Sequence, residues 1–129
     1  ANPFGMRAGL ATLAKAVREN VYDALENRGR RFAKNLESGF ERNGVPFQVS
    51  RVGSVFWIHG RTDSTIRRLE QIPKDHGTKF KAFFHACAAK GVYLAPSGYE
   101  VGFLSYAHTD KILDEAADKI VAAAKESHG

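Results

Sequence analysis

The chain contains a single cysteine, Cys87, so no internal disulfide is possible, which fits a reducing compartment. No apolar run approaches the ~20 residues of a membrane-spanning helix, and the first residues do not read as a secretory signal. There is no G-x-S-x-G, and Cys87 lacks a papain-like context. His59, His76, His85, His108 and His128 show no metal-ligand spacing, and no glycine loop is built to cradle a phosphate. Repeats, low-complexity segments and composition breaks are absent too. These absences remove disulfide scaffolds, membrane spans, familiar nucleophile enzymes, zinc sites and nucleotide loops. They leave a chain that carries no complete active site of its own.

What is present suits one soluble domain. At 129 residues the chain can bury a modest core. Its net charge of +5 invites either an anionic partner such as nucleic acid or a plain solvated surface. The basic residues are interleaved with Asp and Glu, and only Gly29-Arg30-Arg31 and Arg67-Arg68 are dense, which favours the solvated surface. The chain opens Ala1-Asn2-Pro3, a helix cap followed by proline, without an initiator methionine. It is therefore expected to be a piece of a larger protein, with Ala1 as a cloning remnant.

Pro3 to Val17 is expected to be helical, with an apolar stripe of Ala8, Leu10, Ala11, Leu13, Ala14 and Val17. Gly5 and Gly9 weaken that helix by about 1 kcal/mol each relative to Ala, which implies close packing, either within this domain or on a further part of the protein. A second helix, Val21 to Asn43, repeats Val21, Leu25, Gly29, Phe32, Leu36 and Phe40 at helical steps and stops at Gly44. Phe47 to Val52 alternates as a strand, and Val55 to Ile58 is a continuous apolar run; Gly53-Ser54 between them makes a hairpin. Residues 60–77 read as a long surface loop with one helical turn near Ile66 to Leu69. Thr78 to Lys90, capped by Thr78 or Asp75, is the third helix, burying Phe80, Phe83, Phe84, Cys87 and Ala88. Asp110 to Ser127 is the last, capped by Thr109, with Leu113, Ala116, Ala117, Ile120, Val121 and Ala124 inward. Phe56, Phe83, Phe103 and Ile120 are the expected centre of the core. The order implies an α+β fold: a small, mostly antiparallel sheet with helices on one face.

Gly91 to Thr109 is the most informative stretch. Val92 to Leu94 reads as a strand ending near Pro96, Ser97-Gly98 as a turn with Gly98 free to take positive φ, and Val101 to Tyr106 as a second strand. Glu100 stands beside the turn in otherwise apolar surroundings. Alternation puts it on one face with Gly102 and Leu104, opposite Val101 and Phe103. A carboxylate beside a glycine leaves room for a ligand; a solvated charge at a strand start fits the same spacing. His108, before the Thr109 cap, reads as a structural hydrogen-bonder and Cys87 as a buried small hydrophobe.

Several ordered segments resemble one family along essentially the whole chain. Asn2-Pro3, Met6 and Ala8-Gly9-Leu10-Ala11-Thr12-Leu13 are similar to N-P-x-x-M-x-A-G-L-A-T-L, and Arg51-Val52-Gly53-Ser54-Val55-Phe56 to R-x-G-S-x-F. Phe83-Phe84-His85 and Gly91-Val92-Tyr93-Leu94-Ala95-Pro96-Ser97 are similar to F-F-H and G-V-Y-L-A-P-S. Glu100, Gly102-Phe103-Leu104-Ser105 and Ala107-His108-Thr109 are similar to E-x-G-F-L-S-x-A-H-T. These segments resemble the C-terminal domain of the glutamate-1-semialdehyde 2,1-aminomutase family, within the class III pyridoxal-phosphate aminotransferases. Many relatives carry Gln-Phe where this chain has Gly98-Tyr99.

The resemblance implies that residues 1–129 are the C-terminal small domain of a fold-type-I pyridoxal-phosphate enzyme, with residues 1–18 a linking helix and 19–129 the α+β body. It implies a cytoplasmic homodimeric isomerase that converts glutamate-1-semialdehyde to 5-aminolevulinate for tetrapyrrole (porphyrin) biosynthesis. The cofactor, pyridoxal 5'-phosphate, and the catalytic lysine would belong to a large domain outside this chain, so the fragment alone would be inactive, with no catalytic, cofactor-binding or metal residue of its own. Glu100 would then sit at the edge of the active site as a substrate-side or gating residue. Other readings are the small domain of another class III aminotransferase and a free-standing basic nucleic-acid-binding module. The aminomutase reading expects a small-molecule substrate, no nucleic acid and no membrane.

Overall fold

The computed structural model describes residues 2–128; Ala1 lies outside them. Helix α1 (Pro3–Arg18) opens the chain, and α2 (Val21–Arg42) follows. A hairpin of β1 (Phe47–Val52) and β2 (Val55–Gly60) comes next, then a single 3-10 turn at Leu69–Gln71 and helix α3 (His76–Ala89). The short strand β3 (Gly102–Phe103) and helix α4 (Asp110–His128) complete it. The sheet is antiparallel in the order β1-β2-β3. The α+β expectation therefore holds.

Local chemistry explains most boundaries. The side chain of Asn2 accepts from the Phe4 N–H at 3.1 Å, capping α1. Helix α2 ends in a Schellman motif: the Gly44 N–H donates to the Glu41 carbonyl and the Val45 N–H to the Phe40 carbonyl. Gly44, at φ +65°, is the left-handed residue this motif needs. The hairpin register pairs Val49 with Ile58 and Arg51 with Phe56, so Phe47, Val49, Phe56 and Ile58 share the core face.

That face meets Phe32, Leu36 and Phe40 of α2, with Phe32 edge-on to Phe56 at 5.2 Å between centroids. Phe83, Cys87, Leu113 and Ile120 close the core from α3 and α4. Gly39 of α2 lies directly under Val121 of α4, where a Cβ would collide with the valine side chain. Gly29 lies against the Gly53 carbonyl at the hairpin tip in the same way. Arg51 fastens that tip, donating to both carboxylate oxygens of Glu26 (2.8 and 2.9 Å) and to the Gly53 carbonyl (2.7 Å). The hydrogen bond from Arg51 holds the Glu26 carboxyl below its usual range.

Several expectations need correction. Val92 to Leu94 forms no strand. Gly91 takes φ +78° and the Val92 N–H caps α3 at the Cys87 carbonyl, 3.0 Å away, so it is not free for a ladder. The extended run Val101 to Tyr106 shrinks to Gly102–Phe103, because a turn closes it at Ser105, whose carbonyl accepts from the His108 N–H. The helical turn in the long loop falls at Leu69–Gln71, where the Gln71 side chain accepts from the Arg67 and Arg68 N–H groups. Helix α3 starts at His76, two residues early, supported by the Lys79–Asp75 ion pair at 2.6 Å; Ala88 on it is exposed. Phe103 is 68% exposed and no part of the core.

Helix α1 buries none of its residues. Leu10, Leu13 and Val17 lie open, as do Phe4 and Met6. Nothing outside the helix approaches Gly9, and Gly5 meets only Asn2. Close packing of these glycines within the domain is therefore excluded.

Candidate functional site

The site assembles where α3, β2 and the Gly91–Thr109 stretch meet. Phe56 and Ile58 of β2 and Phe80 of α3 form its apolar floor. Tyr93, Leu94 and Ala95 supply one wall, and Gly102 and Phe103 the other. Glu100 completes the lining of this cleft of about 240 Å³. Gly102 has a steric reason to be glycine, since a Cβ there would run into the Phe56 ring. Tyr93 (81% exposed) and Phe103 leave large apolar surface at the mouth.

Glu100 lies at the cleft and shares its lining with Gly102, whereas Leu104, expected on the same face, is buried in the core. Phe103, which the register sets beside Val55 on the face opposite Gly102, also borders the cleft. Glu100 is exposed and, among the described residues, is the only charged side chain of the lining. A lone carboxylate at a partly apolar cleft attracts an amine or other cation and repels a second carboxylate.

The turn that carries Glu100 is closed by its own N–H, which donates to the Ser97 carbonyl at 3.1 Å. Gly98, inside it, is buried and does not take positive φ, contrary to expectation. It is glycine because of proximity: a Cβ would stand 2.7 Å from Cγ of Phe80 and 2.8 Å from Nε2 of His76.

Reasoning from spacing missed the groups behind this turn. Spacing places His76 in the loop of residues 60–77 and Trp57 within the apolar run Val55 to Ile58. In the fold both lie against the turn, and His59 is buried beside Trp57 at 4.5 Å between ring centroids. His59 donates from Nδ1 to the Gly60 carbonyl (2.8 Å) and accepts at Nε2 from the Ser50 hydroxyl (2.9 Å). Burial pushes its pKa below the ordinary histidine value. The only recoverable signal was the alternation of Trp57 and His59, which puts both on the sheet face opposite Phe56 and Ile58.

The remaining candidates behave as structural residues. Cys87 is fully buried and burial pushes its thiol up to about 12. His108 accepts at Nδ1 from the Ser105 N–H at 3.1 Å, and His85 is exposed. Among the described residues no cluster of His, Cys, Asp or Glu is grouped to hold a metal ion, and no helix is long and apolar enough to cross a membrane. The densest basic stretch is largely paired, Arg30 with Glu26 and Arg31 with Asp110 and Asp114.

No protein-family model matches the chain. Curated proteins do. The glutamate-1-semialdehyde 2,1-aminomutase of Bdellovibrio bacteriovorus is 50% identical over 125 residues, which are 97% of this chain and 29% of that protein. The enzyme of the same name from Leptospira biflexa is 46% identical over 127 residues, 98% of this chain and 30% of its own length. End to end, this chain is similar to part of glutamate-1-semialdehyde 2,1-aminomutase. It spans less than a third of these relatives.

Solved structures agree on the fold. An omega-transaminase from Sphaerobacter thermophilus superimposes with a TM-score of 0.84 at 25% identity, over 100% of this chain and 29% of that one. A structure titled "Transaminase with PLP bound" matches with a TM-score of 0.76 at 18% identity, covering 98% of this chain and 28% of its own, and supports the fold alone.

Proposed function

We propose that this chain is the C-terminal small domain of a glutamate-1-semialdehyde 2,1-aminomutase, with residues 1–18 as the linking helix and 19–129 as the α+β body. The observation that carries this reading is 50% identity over 97% of the chain to a protein of that name. The whole enzyme would convert glutamate-1-semialdehyde to 5-aminolevulinate for tetrapyrrole biosynthesis, as a cytoplasmic homodimer. The bare apolar side of α1 and the open mouth of the cleft fit a domain that packs against further polypeptide.

Pyridoxal phosphate, when bound, carries the migrating amine and accepts electron density from the substrate. The cleft does not itself fit that group. Its lining has no lysine to link to the cofactor and no cation for its phosphate. The cofactor and the catalytic lysine are therefore assigned to the remainder of the enzyme. Titrating this chain with pyridoxal phosphate should give no saturable, stoichiometric absorbance change.

What this chain contributes is Glu100. Two like charges about 4 Å apart repel by about 1 kcal/mol in water and about 4 kcal/mol at an effective dielectric of about 20. Glu100 is exposed, so the lower figure describes the open cleft and the higher one a cleft covered by other polypeptide. Either is enough to disfavour a second carboxylate and favour an amine-bearing intermediate. In the complete enzyme, Glu100→Gln should slow the mutase reaction and raise amine exchange with external amino or keto acids. Unchanged turnover together with unchanged exchange would return Glu100 to a surface charge.

A second reading, the small domain of another class III aminotransferase, is favoured by the likeness to the omega-transaminase. It requires an external amino partner. Conversion of the semialdehyde without any added amino acceptor separates the two.

A further inference from the structure

The Gly98 carbonyl accepts two hydrogen bonds from buried or half-buried side chains on different elements. The Trp57 indole of β2 donates at 2.7 Å and His76, the first residue of α3, reaches it with Nε2 at 2.7 Å. A carbonyl only accepts, so His76 carries its proton on Nε2. Its Nδ1 is buried with no partner among the described residues, and the residue as a whole is 1% exposed. The His76 ring also stands edge-on to Tyr99 at 5.3 Å and to Trp57 at 6.0 Å. Neither Trp57 nor His76 lines the cleft. Their shared acceptor lies two residues before Glu100, inside the turn closed by the Glu100 N–H.

We propose that His76, with Trp57, is a positioning residue: the pair clamps the Gly98 carbonyl and so fixes the Ser97–Glu100 turn that sets Glu100 at the cleft. The clamp stands on these contacts. Its consequence for substrate choice rests on the role proposed above for Glu100.

The test uses amide hydrogen exchange in the 129-residue chain, where Trp57 is the sole tryptophan and its indole proton gives one assignable signal. In His76→Phe the Glu100 amide should exchange roughly five- to tenfold faster, as expected for losing one hydrogen bond. The indole signal should shift, while the Leu36 and Ile120 amides keep their protection. His76→Gln, which retains an N–H donor, should recover most of the Glu100 protection; a purely space-filling role would instead favour the phenylalanine variant. Should His76→Phe not fold, Trp57→Phe removes only the other donor and serves the same comparison. Unchanged Glu100 protection in the folded donor-lacking variants overturns the clamp. In the complete enzyme, His76→Phe should reproduce the turnover and exchange changes of Glu100→Gln, and the double variant should add little. Changes in Glu100→Gln with none in His76→Phe overturn the link to the site. No change in Glu100→Gln overturns the Glu100 reading alone, while hydrogen exchange still decides the clamp.

Discussion

Gly29→Ala sets helix propensity against tertiary packing with opposite signs. In an isolated helix, replacing an interior glycine by alanine stabilises by about 1 kcal/mol. In this fold the new Cβ would land on the Gly53 carbonyl oxygen, with the Arg51 side chain 3.5 Å away. That oxygen is backbone and is held by Arg51 at 2.7 Å, so it cannot swing aside as a side-chain tip would. Overpacking costs about 1–3 kcal/mol, and an immobile neighbour places Gly29 at the upper end. The net expectation is a loss of about 2 kcal/mol, or about 8 °C in melting temperature for a chain of this size. Urea and thermal melts followed by far-ultraviolet circular dichroism measure it directly. Gly39→Ala meets the side chain of Val121 instead, so its smaller loss should be relieved by adding Val121→Ala. A Gly29→Ala chain that melts at or above the parent would refute the close approach of hairpin tip and α2.

Other outcomes follow from burial. Phe83→Ala should cost about 3–5 kcal/mol, since Phe83 is fully buried; a urea midpoint within error of the parent would contradict its place in the core. Cys87 should resist thiol reagents at pH 8 while the chain is folded and react promptly in urea, because its thiol is pushed up to about 12; rapid native labelling would count against that burial. His59 is held neutral in the fold, with its pKa below the ordinary value of 6.5 that it regains on unfolding. The unfolded chain then binds the extra proton first, so stability is full above about pH 6.5 and drops as pH falls through it toward the depressed native value. Urea midpoints between pH 7.5 and 5 should show this slope, and His59→Gln should flatten it.

Periodicity in the sequence was enough for α1, α2, α4 and the β1–β2 hairpin, because each is specified within a few neighbours. The Asn2 cap, the Gly44 stop and the two residues between alternating runs are local devices. The family resemblance likewise needed only ordered motifs, and it marked Glu100 where spacing alone left two readings open. Tertiary structure decided what depends on residues far apart in the chain. Val92 was lost as a strand residue because its N–H closes α3 at Cys87. Phe103 was lost to the core because the β2–β3 register sets it beside Val55, on the sheet face opposite the buried Phe56. Gly98 carries no sequence mark distinguishing a glycine needed for positive φ from one needed for contact; Phe80 and His76, both on α3, make it the second. Trp57 and His76 are 19 positions apart, and no local pattern shows that they share one carbonyl acceptor. Hydrogen bonds between separate elements follow from where packing brings them, and that packing is set by the whole core together.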